Sequence, residues 1–412
     1  MSNFKKILLV FFLIVISGVI IGAGVFAWKK IIKGFLPLIR KPSQDIVKLL
    51  EKQKDQPKNS TGMPFKLPPG FSISIFAKDL PGARVIKFDN LGNLWLSQTS
   101  EGKITRLEIR DGNVLGKKEV FGNLRKPHGL AFDPKDTNVL YLAEEDKISK
   151  VNVGGDLKPE KIIDLPMGDG HFTRTIEFGP DDRLYVSIGS SCNVCNEKDW
   201  RRAKIFSMKK DGADFKEFAR GLRNAVFFTF SPFDGKMWVT EMGRDWLGDA
   251  APPDEINVVE EGKNYGWPTC YGKNIHDTDF DPVPDPSDRY GAGRNAACSK
   301  FEPSYIDIPA HSAPLGLAFI PLNKSWPEEY WHDLLVAYHG SWNRSEPTGY
   351  KIVRIKLDEK GSYLGTEDFI AGWFTVRNEV LGRPVDILIQ PGGIMYVSDD
   401  KAGVIYKIII SI

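Results

Sequence analysis

The feature that most constrains this chain is a module written six times along it. Each copy is an apolar strand ending in a large side chain, then a turn, then a second strand rich in β-branched and aromatic residues. The copies are VIKF…GNLWLS (residues 85–97), GLAFDP…LYLA (129–143), TIEFGP…LYVS (175–187), FTFSP…MWVT (228–240), GLAFIP…LLVA (316–337) and VDILIQP…MYVS (385–398). Strand pairs bounded by Gly, Pro and Asp read as β-hairpins. The first strands end at Phe88, Phe132, Phe178 and Phe230, which stand 44, 46 and 52 residues apart; gaps of 89 to Phe319 and 70 to Ile389 follow. A period near 45 with paired strands is the mark of a β-propeller built from four-stranded blades. The expected fold is therefore all-β, a six-bladed propeller, with the long gaps as insertions inside blades, the larger spanning residues 262–309. A β-sandwich of irregular strands is the alternative. No long helical period follows residue 60, which argues against a separate α domain.

The N-terminus is different. Residues 7–28 contain no charge and lie between Lys5-Lys6 and Lys29-Lys30. That run is long enough to span a membrane as a helix, which needs about 20 apolar residues. A cleaved signal peptide, cut after residues 25–27 (VFA), is the competing reading; the length of the run and the lysines directly after it favour an uncleaved transmembrane anchor. The division expected is 1–30 anchor or signal segment, 31–62 polar stalk and 63–412 propeller. Either reading carries the propeller out of the cytoplasm if the N-terminus stays in. The net charge of +2 gives no reason to expect nucleic acid as a partner.

Four cysteines fit such a location. An even count in an exported protein suggests two disulfides, most simply Cys192–Cys195 and Cys270–Cys298. Haem attachment would need His after Cys195, where Asn196 stands, and zinc would need a second ligand pair. A redox-active Cys192–Cys195 pair stays open, because a disulfide closing so short a loop is the more easily reduced kind.

In a propeller, loops at one end of the channel converge. His171 precedes one inner strand and Arg223-Asn224 the next. Glu241, Gly243 and Arg244 follow the fourth module, and Asp254-Glu255 close its loop. Gln98 follows the first module, while Arg383, Asp386 and Asp400 flank the last. Each alone has a structural explanation, such as an inter-blade ion pair or a surface turn. Recurrence at equivalent blade ends favours one shared site, and a His with arginines, amides and carboxylates suits an anionic ligand beside a proton acceptor. His128 and His311 also precede inner strands, as outer partners of the site or as structural histidines; His276 and His332 have no such placement.

The segments GDGHFTRTIEFGPDDRLYVSIGSS, GLRNAVFFTFSPFDGKMWVTEMGRD, DEINVVEEGKNYGWP and GRPVDILIQPGGIMYVSDDKAGVIYKI resemble the glucose/sorbosone dehydrogenase family. HFTRTIEFGP and SSCNVC are closer to its sorbosone-dehydrogenase-like branch. The similarity runs over residues 67–408. It implies a six-bladed propeller that oxidises a sugar or sorbosone-like aldehyde with pyrroloquinoline quinone (PQQ) and Ca²⁺, passing electrons to a quinone or cytochrome. By the same resemblance, His171 is the catalytic base, and Arg223 and Asn224 hold the cofactor and steady its developing charge. Gly243 and Arg244 offer backbone carbonyls to Ca²⁺, and Gln98, Arg383 and Asp400 match further cofactor or pocket positions. Four departures stand out: Gly170 replaces the acidic residue before the base, Arg244 stands where proline is usual, Ile188-Gly189-Ser190 replaces IGD, and the cofactor lysine is unmatched unless Arg344 or His339 substitutes. A lactonase-type metal hydrolase and a non-catalytic binding propeller are the rival functions.

Overall fold

The computed structural model describes residues 59–281 and 298–410. The transmembrane-anchor expectation and most of the stalk lie outside the described residues; within them no helix is long and apolar enough to cross a membrane. Six four-stranded antiparallel sheets are arranged in sequence order, as a six-bladed propeller requires. Their inner strands are Ala83–Phe88, Leu130–Phe132, Ile176–Phe178, Ala225–Phe230, Pro314–Phe319 and Pro384–Ile389. These are the six modules read from the sequence.

Second strands such as Leu94–Gln98, Leu184–Ile188, Met237–Glu241 and Met395–Asp399 are buried at every residue. They are covered on both faces by neighbouring blades, which is why they read as continuous apolar runs rather than alternations. The outer strand Asn113–Phe121 faces solvent on one side and alternates accordingly.

Blade-to-blade packing follows one rule. In five of the six blades a Trp or Tyr of the second strand meets the Phe that ends the next blade's inner strand, edge to face. Ring centroids are 6.2 Å apart for Trp95–Phe132, 5.2 Å for Tyr141–Phe178, 5.1 Å for Tyr185–Phe230, 5.5 Å for Trp238–Phe319 and 5.2 Å for Tyr396–Phe88. At the remaining interface Leu335 and Ile389 belong to one aliphatic and aromatic cluster. Nearer the channel, the repeated GLAF sequence has a steric cause. A Cβ on Gly129 would lie 2.3 Å from the Arg174 carbonyl, and one on Gly316 2.5 Å from that of Val385.

One element was not anticipated. Strand Phe71–Ala77 pairs antiparallel with Val404–Ile410, so the sixth blade is made from both ends of the chain and closes the ring. Asn59 bridges to Ile73 and is buried, so the chain is already packed on the propeller at residue 59. The insertion lies between strands Asp254–Val259 and Ile306–Ile308 of blade four and carries the bonded pair Cys270–Cys298; Cys192 and Cys195 are bonded too.

Removing a ring contact should loosen a whole interface. Trp238→Ala is expected to cost about 3–5 kcal/mol, as for other buried aromatic truncations. Leu115→Ala, at an exposed outer-strand position, should cost under about 0.5 kcal/mol. Denaturant unfolding of the two variants measures this, and equal midpoints would refute the packing rule.

Candidate active site

The fourth module and its neighbours build a pocket lined by His171, Arg223, Asn224, Met242, Gly243, Asp245, Asp254, His311, Trp342 and Asn343. Four residues expected at the site, His171, Arg223, Asn224 and Gly243, meet there.

His171 is fixed by its backbone and by one ring nitrogen. Its amide donates to the Ser190 carbonyl at 2.9 Å. Nδ1 lies 3.1 Å from that same carbonyl and 3.0 Å from Ser190 Oγ, whose proton goes to the Cys192 carbonyl at 2.7 Å. A carbonyl only accepts, so Nδ1 carries the proton and Nε2 is left with a lone pair. Two buried arginines hold the His171 carbonyl, Arg174 at 2.9 Å and Arg202 at 3.1 Å. Burial, and then the positive charges of Arg223, Arg174 and Arg202, push the imidazole down to about 3, although the Ser190 contact opposes the shift. His171 is a neutral acceptor throughout the physiological range.

Arg223 is locked on three sides. Nε donates to the Asn193 carbonyl at 2.8 Å, Nη1 to the Gly243 carbonyl at 2.9 Å, and Nη2 to Asn193 Oδ1 at 2.9 Å, with Asp245 Oδ2 at 3.3 Å. The Asn224 amide donates to Glu241 Oε1 at 3.0 Å. Gly189 allows this closeness: a Cβ there would lie 2.7 Å from His171 Cβ and 2.8 Å from Asn224 Oδ1.

The Gly243 segment is equally constrained. A Cβ on Gly243 would lie 2.7 Å from the Pro253 carbonyl, and its amide donates to Asp254 Oδ1 at 2.9 Å. Asp254 is no surface turn; it is buried, also accepts the Ala313 amide at 2.8 Å, and is pushed up to about 7 by burial against the pull of those two amides. The Arg244 side chain turns away to the insertion, where Asp277 Oδ1 accepts at 2.9 Å, leaving only its backbone carbonyl for the site. The Gly243 carbonyl accepts from Arg223 Nη1, and together with the Arg244 carbonyl it would offer Ca²⁺ the oxygen ligands that a hard cation takes. The buried Arg223 cation, flanked by Asn224 and the half-exposed Trp342 ring, suits an anionic planar cofactor such as PQQ.

The other expected residues lie outside this lining. Gln98 is spent within its own blade, donating to the Pro81 carbonyl at 2.8 Å and accepting from Thr105 at 2.6 Å. Arg344 donates to the Asp249 and Ala310 carbonyls, tying two loops together. Arg383 and Asp400 join a second charged cluster: Arg383 Nε reaches the His339 carbonyl at 3.0 Å, and Asp400 pairs with Arg84 and His339, each at 2.9 Å. Burial alone would raise Asp400, yet His339, Arg84 and Arg383 together hold it far below the usual carboxylate range. The loop that starts at His339 reaches the pocket at Asn343, which donates to Asp245. His311 lines the pocket with Nε2 on the Gly248 carbonyl at 2.8 Å, and His128 is buried against Thr175 at 3.1 Å. Asn193, Asp245, Asn343 and Arg174 were missed by sequence reasoning, although Asn193 sits inside SSCNVC and Asp245 ends EMGRD.

Fold and pocket together define a class: six-bladed propellers whose channel mouth sets a neutral histidine beside an arginine–asparagine pair. The chain belongs to the TrAA12-like family, whose model matches residues 65–410. It is 32% identical over 363 residues to an uncharacterized protein of Borreliella burgdorferi, a match covering 83% of this chain and 90% of that one. It is 24% identical over 398 residues to the pyrroloquinoline quinone-dependent pyranose dehydrogenase of Coprinopsis cinerea; the match covers 82% of this chain but only 54% of that protein's length. The calcium structure of the Trichoderma reesei carbohydrate-active enzyme of family AA12 has the same fold, with a TM-score of 0.71 over 85% of this chain and 98% of that one at 20% identity.

The tautomer and the depressed basicity of His171 are open to direct test. Long-range ¹H–¹⁵N spectra should show one neutral Nδ1–H imidazole from pH 8 down to about 4, absent in His171→Ala. The unfolded chain binds that proton near pH 6.5 and the folded chain only near 3. This histidine therefore subtracts stability progressively as pH falls through that window. Protonation near pH 6.5 in the folded protein would overturn the assignment.

Proposed function

We propose that the chain is a PQQ- and Ca²⁺-dependent sugar dehydrogenase working outside the cytoplasm. The observation that carries this is His171: Nδ1 is committed to the Ser190 carbonyl, so Nε2 is the acceptor in a pocket shared with Arg223 and Asn224. Relatives in the same family named for PQQ and for calcium support the choice of cofactors.

PQQ, when bound, supplies a two-electron hydride acceptor, and Ca²⁺ supplies the electrophile that polarises it. The chain supplies the rest. His171 Nε2 takes the proton of the anomeric hydroxyl of a cyclic aldose, or of an aldehyde hydrate, while hydride leaves the same carbon. The products are a lactone or an acid. Arg223 sets a fixed positive charge beside the pocket, preorganised by Asn193 and Asp245, so that developing negative charge is met without reorganisation. Asp254 and the crowding at Gly243 hold the Gly243 and Arg244 carbonyls, which would carry the cation. Gln98, Arg383 and Asp400 bond other groups outside this lining and have no direct part in the step. Residues 7–28 would anchor the enzyme to the membrane, within reach of a quinone or cytochrome electron acceptor. The two disulfides accord with an oxidising compartment.

The full chain, given Ca²⁺ and PQQ, should reduce an artificial dye with an aldose or sorbosone and remain inactive without PQQ. His171→Ala should lower kcat by about 10²–10⁴, the usual contribution of a positioned base. Full activity in that variant, or no PQQ-dependent turnover on any sugar, would sink the proposal.

A further inference from the structure

The Cys192–Cys195 loop does more than close a turn. Asn193, inside the C-x-x-C, spends its carbonyl and both side-chain polar atoms on Arg223 and Asp245. Its carbonyl and its Oδ1 accept from Arg223 Nε and Nη2 at 2.8 and 2.9 Å. The same Oδ1 accepts the Asp245 amide at 2.8 Å, and Nδ2 donates to the Asp245 carbonyl at 3.1 Å. One residue before it, the Cys192 carbonyl takes the proton of Ser190 Oγ, the hydroxyl that faces His171 Nδ1. The four-residue ring thus orients both the acceptor and the cation, from a segment 30 residues away from Arg223 and 52 from Asp245.

The backbone leading into the loop leaves no room for a side chain before His171. Gly170 has φ +84°, and a Cβ there would lie 2.4 Å from the Ser190 carbonyl oxygen and 2.4 Å from the Ser191 carbonyl carbon.

Resting on the reading of this pocket as a PQQ site, we propose that Asn193 is the positioning residue for Arg223, and that the Cys192–Cys195 disulfide holds Asn193 in place. Arg223 then presents its charge in a single orientation, and that orientation depends on the oxidation state of the loop. Reduction by an added dithiol takes two electrons and two protons, yields two cysteine thiols, and converts the dithiol to its own disulfide. Cys192 and Cys195 are half-buried, whereas Cys270 and Cys298 are buried. Limited reduction should open the first pair and spare the second.

Two measurements test this. The first needs no cofactor: exchange of the Arg223 Nε proton with solvent, followed by NMR in the full chain and assigned by its absence in Arg223→Ala. Slow exchange is expected in the oxidised wild type. At least tenfold faster exchange is expected in wild type reduced only at Cys192–Cys195, as checked by mass spectrometry, and in Asn193→Ala, which keeps the carbonyl that Nε donates to but removes the Oδ1 and Nδ2 bonds that hold it in place. Unchanged exchange in both overturns the proposal; unchanged exchange on reduction alone overturns the part given to the disulfide. The reduced wild type keeps the test alive should Asn193→Ala fail to fold. The second measurement is PQQ affinity of the Ca²⁺-loaded protein by quenching of tryptophan fluorescence. Asn193→Ala should weaken binding about tenfold, in the range of outer residues that orient ligands, and less than twofold once Arg223 is already Ala. Equal losses in the two backgrounds would mean that Asn193 does not act through Arg223. If the wild type binds no PQQ, the proposed function falls, while the exchange measurement still decides what positions Arg223.

Discussion

The ring of aromatic contacts between blades is the constraint on which everything else depends. A four-stranded blade has two apolar faces and cannot bury either alone. Each second strand therefore has to lie between two neighbours, and in five of the six its Trp or Tyr is the side chain that spans the gap. Edge-to-face pairs of this kind add about 0.5–1.5 kcal/mol each beyond the area they bury. They also set the angle at which blades meet, because the Phe that ends each inner strand fits only one flank of its neighbour. A ring built from such contacts has no free edge provided its last blade is closed. Pairing of Phe71–Ala77 with Val404–Ile410 closes it with strands from opposite ends of the chain.

Once the inner strands are fixed, the residues just outside them have to converge, and the pocket is made from those ends. The polar groups there are satisfied largely by backbone carbonyls. Arg174 is fully buried and bonds the His171, Thr173 and Pro166 carbonyls, and Arg202 bonds those of His171 and Gly189. Carbonyl partners leave the guanidinium charges uncancelled nearby. The result is a field that keeps His171 neutral and makes the pocket attractive to an anion. Asp245 is the counter-charge beside Arg223, and it is held in turn by Asn193 and Asn343.

The blades were legible because the packing rule leaves a trace in the chain: an apolar strand ending in Phe, a turn, and a doubly buried strand with a central aromatic. The closing strand was not. FSISIFA alternates as a strand should, but its partner lies more than 300 residues away and no adjacent hairpin marks it. The site divided along the same line. His171, Arg223, Asn224 and Gly243 stand at ends of repeated modules, so their convergence could be read from position. Position did not fix where a side chain turns, and Gln98 at an equivalent end bonds its own blade. Asn193 and Asn343 act on residues brought from another blade, across 30 and 98 positions, and no local pattern announces that.

The departures from the family pattern are better understood together than singly. Gly170 and Ser190 both stand where the family pattern has an acidic residue; Gly170 packs on the Ser190 and Ser191 backbone, and Ser190 Oγ donates to the Cys192 carbonyl. Where a carboxylate next to His171 would raise its basicity and accept a substrate hydroxyl, this chain has a neutral serine and a glycine in the left-handed region. The low basicity of His171 comes first from its burial and then from the Arg223, Arg174 and Arg202 charges, with no carboxylate beside the ring to oppose them. The carboxylates of the lining are already engaged, Asp245 with Arg223 and Asp254 with two backbone amides, so Nε2 has no acidic partner of its own there.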